Sequence, residues 1–600
     1  MSLPPRDEID PKHRFDLTRI FATPDDWTTA RETLDDRLDR LRSLADEPPT
    51  RPDELRALLD LTEECYRRKQ RLGLYARLAA NVNTSSAAAA TRERDFRELE
   101  AAFEPVAAAV RRRLGALDAA AFDDLLASLD GDRYYARNLR AQAARTREPA
   151  VEEAIAAHAE ARSAPTRVLR AVTTEDVDPP TVERPDGERV DVRVGDYVTE
   201  LSHPDRGYRR AVYEAYHGEM ERFEATLTRA VAEKLSAAAT EADLRGYDSI
   251  RDRDLRGAYP DAGLEPAVPE AVHDTLVDGV RDALGPYHRA QRSRRERLGL
   301  DALRPWDRRV PTADAPAPTL DYGDATGLIL ESLDPLGEEY VDRTREFLAE
   351  RRVDVFPTRD KRTDIPAYCP SSAADGAFVL ANFREDVRTT FYVAHELGHA
   401  LDVAYRREGP TRYATAPTAV CEVPSILHEL LLAERCLDAG GALASHARDR
   451  LVECLAGNLY RNARSAAFKH ALATTVEAGE ELSPTVAREA YADLLAEFDP
   501  IVEYEDGDRG GREWLGMGMR LPYSSYQYVL GATGALVVRD RLREGSLSPA
   551  DYRRFLRTAG RTPPVASFES LGIDVRSATP YERAAAAFDG YLDRAGRVRE

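Results

Sequence analysis

Between Asp25 and Leu44, and again between Asp53 and Leu78, apolar residues recur every three or four positions with Arg, Asp and Glu between them. That period predicts amphipathic helices with one buried face, and the proline-rich Glu47–Pro52 between them reads as a turn. The same period runs over Ala87–Leu129, Ala150–Ala171 and Asp205–Ala239. One stretch breaks it. Thr181 to Val194 alternates polar and β-branched residues around Asp186-Gly187, a hairpin signal, and marks the expected border between an N-terminal helical region, 1–185, and a second region, 186–600. Pro269–Leu298 is again helical and leads into an extended, proline-rich connection over Arg304–Asp324. After a helical stretch at Ala325–Arg352, two short apolar runs, Ala367–Cys369 and Ala377–Ala381, predict two strands of a small sheet. From Val387 the helical period holds almost to the end, with no internal repeat apparent. The expected class is mainly α, with a small β element just ahead of the most informative segment.

That segment is Thr389–Asp402, TTFYVAHELGHALD. His395 and His399 are four apart, so on a helix both imidazoles project from one face, one turn apart, where they can hold the same zinc ion. Glu396 lies beside the first, placed to act as general base on a water at the metal and then to deliver the proton to a leaving amine. A solvated pair of histidines on a charged helix is the plain alternative. Phe391, Tyr392, Val393, Ala394, Leu397, Ala400 and Leu401 oppose it, since they describe a helix buried nearly all round, where two unliganded histidines and a glutamate would be costly. A catalytic zinc usually takes three protein ligands and keeps a fourth position open. Past Gly409-Pro410 a second helical run begins around Ala419, and Glu422 sits in it among apolar neighbours, far enough from His399 for a turn and an antiparallel return. The predicted ligand set is His395, His399 and Glu422, for one zinc ion per chain. Glu429, two turns after Glu422 on the same face, is the candidate acceptor for a ligand imidazole's other N–H. His428 is a rival ligand but lies off that face, and reads as a surface or core histidine. Cys421 points about 100° away from Glu422 and reads as a packed thiol.

Composition narrows the partners. Of 600 residues, 106 are acidic and 85 basic, and the net charge of −21 argues against nucleic acid or an anionic membrane surface. Five of the 85 basic residues are lysine, leaving 80 arginines. Two readings account for this: a GC-rich genome, or an acidic, lysine-poor surface adapted to a salt-filled cytoplasm, which is the reading adopted. Five cysteines without a CxxC pair do not suit a disulfide scaffold. The charged N-terminus lacks the apolar run of a signal peptide, and no stretch of 18 apolar residues occurs. A cytoplasmic protein is expected.

HELGHALD, with EVPSILHE beginning at Glu422, resembles the zinc peptidases of the oligoendopeptidase F and thimet oligopeptidase group, whose pattern is HExGH followed by Glu in an E-V/I-x-S-x-x-x-E run. Ile9–Phe21, the hairpin at Asp186-Gly187, the Asp205–Tyr216 run, the WDRRVP at Trp306 and Tyr526-Gln-Tyr-x-x-Gly531 also fall in the family's order, so the resemblance covers essentially the whole chain. It implies a large, two-lobed α-helical peptidase in which a deep channel admits short peptides and excludes folded proteins, with zinc at its base. Carried over, the ligands are His395, His399 and Glu422 and the general base is Glu396. The 186–600 region is then the catalytic one.

Two departures stand out. Asp402 occupies a position where members often have histidine. The family's C-terminal histidine, which polarises the scissile carbonyl and stabilises the oxyanion, falls near Gly518, and no histidine follows His470. Its role passes to Tyr523, Tyr526, Tyr528 or Arg520; Tyr526 and Tyr528 are taken as the catalytic candidates, against a plain reading of these rings as aromatic core. The strand at Ala377–Ala381 corresponds to the family's cleft-edge strand, able to pair with an extended substrate. A helical zinc carboxypeptidase and a metal-bearing peptide binder with weakened catalysis are the alternatives to a zinc endopeptidase of short oligopeptides.

Overall fold

The leucines that set the first helical period, Leu34, Leu38 and Leu41, all lie buried on one face of helix α1 (Pro24–Leu44), which starts at a reciprocal cap between Thr23 and Asp26. The structure is a computed structural model that describes residues 3–127, 129, 133–193, 196–256, 268–313, 316–505, 507–517 and 523–596. Helices α2 (Pro52–Val82) and α3 (Ala87–Gly115) pack on α1, and residues from Phe15 to Leu139 form one hydrophobic core. A second, larger core gathers residues from Val172 to Tyr591. The fold is mainly α, as the periodicity predicts.

The long periodic stretches are segmented where the chain turns. Ala87–Leu129 breaks after Gly115, and Asp205–Ala239 divides into α4 (Arg206–Glu221) and α5 (Glu224–Arg245). The hairpin forms as expected, with β1 (Thr181–Glu183) antiparallel to β2 (Arg189–Asp191) and Gly187 at φ +89°, a left-handed value that favours glycine. Val194 lies outside the described residues.

The small sheet is richer than two strands. β3 (Val353–Asp354), β4 (Ala367–Tyr368), β5 (Ser371–Ser372), β6 (Gly376–Ala377) and β7 (Val379–Ala381) form a three-stranded sheet of order β3-β7-β4 and a β5–β6 pair. β7 runs parallel to β3 and antiparallel to β4. Along β6 and β7 the side chains alternate, as strand geometry requires: Phe378 and Leu380 enter the first core, while Ala377, Val379 and Ala381 enter the second. The sheet is therefore the seam between the two cores. It also corrects one expectation, since Val379–Ala381 is flanked on both sides and the strands at the edges of the three-stranded sheet are β3 and β4.

The N-terminal segment is tied to the same seam. Asp354 of β3 accepts the Phe15 N–H at 3.1 Å and pairs with Lys361 at 2.9 Å and Arg6 at 2.5 Å. Beyond the sheet follow α6 (Val387–Arg406), α7 (Thr418–Ala439), α8 (Gly441–Leu455), a π-helical turn (Ala456–Arg461), α9 (Asn462–Glu477) and α10 (Tyr526–Glu544). Among the described residues no helix is long and apolar enough to cross a membrane, and the five cysteines are free.

Candidate metal centre and active site

Helix α6 starts where the Asp386 carboxylate accepts the Thr389 N–H at 2.7 Å, and it is buried on nearly every side. Its partner α7 runs antiparallel to it: Ala394 faces His428, Gly398 faces Ser425, and Arg406 faces Cys421. The approach is close because of glycine. A Cβ on Gly398 would stand 2.5 Å from Ser425 Cα and 2.6 Å from the Pro424 oxygen. On the other side of α7, a Cβ on Gly531 of α10 would stand 2.3 Å from Glu422 Cβ. Two glycines thus let three helices meet where Glu422 lies.

The three predicted ligands come together. Glu422 Oε2 is 3.5 Å from His395 Nε2 and 3.7 Å from His399 Nε2, and one donor atom of each residue lies within 4.8 Å of the others. These separations are those of ligands that share an ion at about 2 Å, not of direct hydrogen bonds. The far nitrogen of the first ring is engaged: His395 Nδ1–H donates to Glu429 Oε1 at 2.9 Å. Both Nε2 atoms lie toward the common point. Two imidazoles and a carboxylate in this arrangement, the first imidazole oriented from behind by Glu429, fit a metal ion such as zinc.

Glu429 stands where its spacing from Glu422 predicts, and Arg450 of α8 donates to its second oxygen at 3.2 Å. Ser425 donates to Glu422 Oε2 at 2.8 Å. His428 is a core histidine: its Nδ1–H donates to the Ala394 carbonyl at 3.0 Å, its Nε2 accepts from Tyr340 at 2.8 Å, and burial pushes it down to about 3. Cys421 packs against Arg406 with its thiol pushed up to about 12 by burial. Asp402 is buried in an ion pair with Arg406 at 2.5 Å.

The titrating groups of the centre diverge. Burial disfavours the His395 cation, but the hydrogen bond to Glu429 and the charge of Glu422 outweigh it and hold the ring up at about 9. Burial and the neighbouring His395 press His399 well below the usual histidine value. Burial lifts Glu396 to about 7, offset in part by His395.

A cavity of about 620 Å³ opens over these residues. Its floor carries His395, Glu396, His399 and Glu422; its walls are Tyr368–Ser371, from β4 into β5, Arg77 of α2, Phe96 of α3, and Tyr528. Tyr528 is 38% exposed, whereas Tyr526 is buried with its ring 6.1 Å from that of His273 and does not line the cavity. The reason is helical geometry: both sit in the first turn of α10, two positions and about 200° apart. Tyr523 is likewise buried, hydrogen-bonded to His470 at 2.6 Å. Gly518 and Arg520 lie outside the described residues. Residues to which the sequence reading gave no role of their own are Ser425, Arg450, Arg77 and the two packing glycines. Only Ser425, one turn after Glu422, and Gly398, between the histidines, had positions that would have singled them out.

The family model described as peptidase family M3 matches residues 200–587. Group B oligopeptidase PepB of Streptococcus agalactiae is 25% identical over 99% of this chain and 96% of its own length. An oligoendopeptidase F homolog of Lactococcus lactis is 24% identical over 99% and 98%. Among solved structures, oligoendopeptidase-F from Enterococcus faecium superposes with a TM-score of 0.71 at 21% identity, over 96% of this chain and 99% of that one. A chain from Chlamydophila abortus reaches 0.83 at 20% identity over the whole of both.

Proposed function

This chain belongs to peptidase family M3, and from that premise we propose that it is a zinc-dependent endopeptidase that hydrolyses short oligopeptides in the cytoplasm. The observation that carries the reading is the convergence of His395, His399 and Glu422 on one point, with Glu396 on the same cavity floor. When bound there, zinc supplies a Lewis acid that polarises the scissile carbonyl and acidifies a neighbouring water. Glu396 takes that water's proton and passes it to the leaving amine, a task suited to a carboxyl held near neutrality by burial. His395 is kept in register by Glu429, and Glu422 by Ser425. Tyr528, the tyrosine that reaches the cavity, is assigned the hydrogen bond to the developing oxyanion. The free side of β4 offers backbone groups to an extended peptide. Five free cysteines support a reducing compartment.

Glu396→Gln tests this directly. Zinc content should stay at wild-type level while turnover of a quenched internal-cleavage peptide falls by about 100-fold to 10,000-fold. Near-full turnover at full zinc occupancy sinks the mechanism. A carboxypeptidase reading has one observation in its favour. Arg77, which enters no hydrogen bond or ion pair among the described residues, lines the cavity and would suit a substrate's terminal carboxylate. Internal cleavage of a peptide with an amidated C-terminus decides for the endopeptidase.

A further inference from the structure

A second cavity, of about 90 Å³, lies between the helix Gly285–Arg297, the connection that follows it and the α8 helix with its π-helical turn. None of the candidate metal ligands lines it. Its wall holds Arg294, Arg308, Arg448 and Arg461, against two carboxylates, Asp449 and Glu453. Those carboxylates are already committed. Glu453 takes Arg461 at 2.6 Å and Arg309 as well, while Asp449 accepts from the Thr312 hydroxyl at 2.6 Å and from its N–H, and lies 3.4 Å from Arg448 Nε. Arg294 donates to the Val310 carbonyl at 2.7 Å, and Arg308 pairs with Glu513. Arg448 is 3% exposed, and its Nη1 is buried without a hydrogen-bond partner among the described residues. Its Nη2 donates to the Thr312 hydroxyl at 3.0 Å, so the cost is that of one buried N–H group without an acceptor. The crowding is felt at Arg309, which burial and then repulsion from Arg461, Arg308 and Arg294 pull down to about 9. Arg461 reaches the wall from the π-helical turn Ala456–Arg461, an irregularity that is frequent at functional sites.

We propose that this cavity binds a small inorganic oxyanion of the size of phosphate or sulfate. Guanidinium forks match the oxygens of such an ion in pairs. The space holds more than a single water, and the guanidinium groups of Arg294, Arg308, Arg448 and Arg461 reach it from separate elements, so that an oxyanion there would meet several donors at once. The site is independent of the peptidase reading, and its test reads binding, not turnover.

The full chain is melted while potassium phosphate replaces KCl at constant ionic strength. A saturable rise in Tm is expected, since a ligand that binds the folded state stabilises it by mass action, with sulfate competing for the same site. Arg448→Gln should weaken the apparent phosphate Kd by about 30-fold or more, the effect of removing one partner of a buried charged contact. Asp449→Asn removes a competing carboxylate and should tighten it, so a failure of Arg448→Gln to fold leaves a variant of opposite sign. Arg229→Gln, at an exposed pair on α5, should leave the Kd unchanged. A rise that chloride produces equally, one that does not saturate, or a phosphate Kd unmoved by both cavity variants overturns the proposal.

Discussion

At the scale of single residues, the centre depends on groups that never touch a substrate. Glu429 lies between His395 and Arg450, so it fixes the ring that presents Nε2 and raises that ring's basicity. Glu429→Gln should weaken zinc affinity by about 10-fold to 100-fold, read by competition with a chromophoric chelator. Unchanged affinity would reduce Glu429 to a structural partner of Arg450. Tyr528→Phe removes a hydroxyl at the cavity and keeps the ring, so kcat should fall by about 100-fold to 1,000-fold at constant zinc content, as for loss of one oxyanion donor. A variant with wild-type kcat would return Tyr528 to a plain wall residue. The site was legible in the sequence where helical spacing alone decides geometry: His395 with His399, and Glu422 with Glu429. It was not legible where a helix's rotation or start matters. Nothing in Tyr526-Gln-Tyr528 says which ring faces the cavity until the start of α10 at Tyr526 and its packing are known. Gly398 and Gly531 act through what they lack, and a missing Cβ has no meaning until the neighbouring helix is placed.

At the scale of elements, the long amphipathic runs were legible because 15 or so residues of consistent period outweigh local ambiguity. The breaks within them, and a two-residue strand such as β3, were not, since so short a segment has no period. Yet β3 holds the seam. Its Asp354 joins the N-terminal segment, through Phe15 and Arg6, to the buried Lys361, which also donates to the Asp354 and Phe356 carbonyls. Burial pushes the Asp354 carboxyl up, but Lys361 and Arg6 more than offset it, so it titrates below the usual aspartate value. The sign follows from that depression. The carboxylate's contribution is fully present above the unfolded value of about 3.9 and is lost as pH falls through the lower folded one. Asp354→Asn leaves Lys361 buried beside a neutral amide and should cost about 3–5 kcal/mol at neutral pH. Urea midpoints of the two proteins should converge as the pH is lowered past this range. A gap that stays constant into strong acid would mean that the ion pairs contribute nothing and only shape is lost.

At the scale of the whole molecule, the acidic surplus and the arginine excess act at different distances. Contact pairs such as Arg435–Glu331 at 2.7 Å and Arg289–Asp593 at 2.6 Å are short-range and exposed, worth about 0–1 kcal/mol each. The net charge of −21 repels over the full width of the chain. Salt separates the two. The Debye length falls from about 10 Å at 0.1 M to about 3 Å at 1 M, so repulsion between distant acids is removed while pairs in contact keep part of their attraction. The balance should therefore shift toward the folded state as KCl rises, and Tm and peptide turnover should both increase between dilute buffer and molar KCl. The rise should persist in Arg448→Gln, because screening of a surface does not depend on one cavity, and it should be alike in KCl and NaCl. Full stability and activity in dilute buffer would instead assign the arginine-for-lysine composition to codon usage and leave the acidic surface without a role in folding.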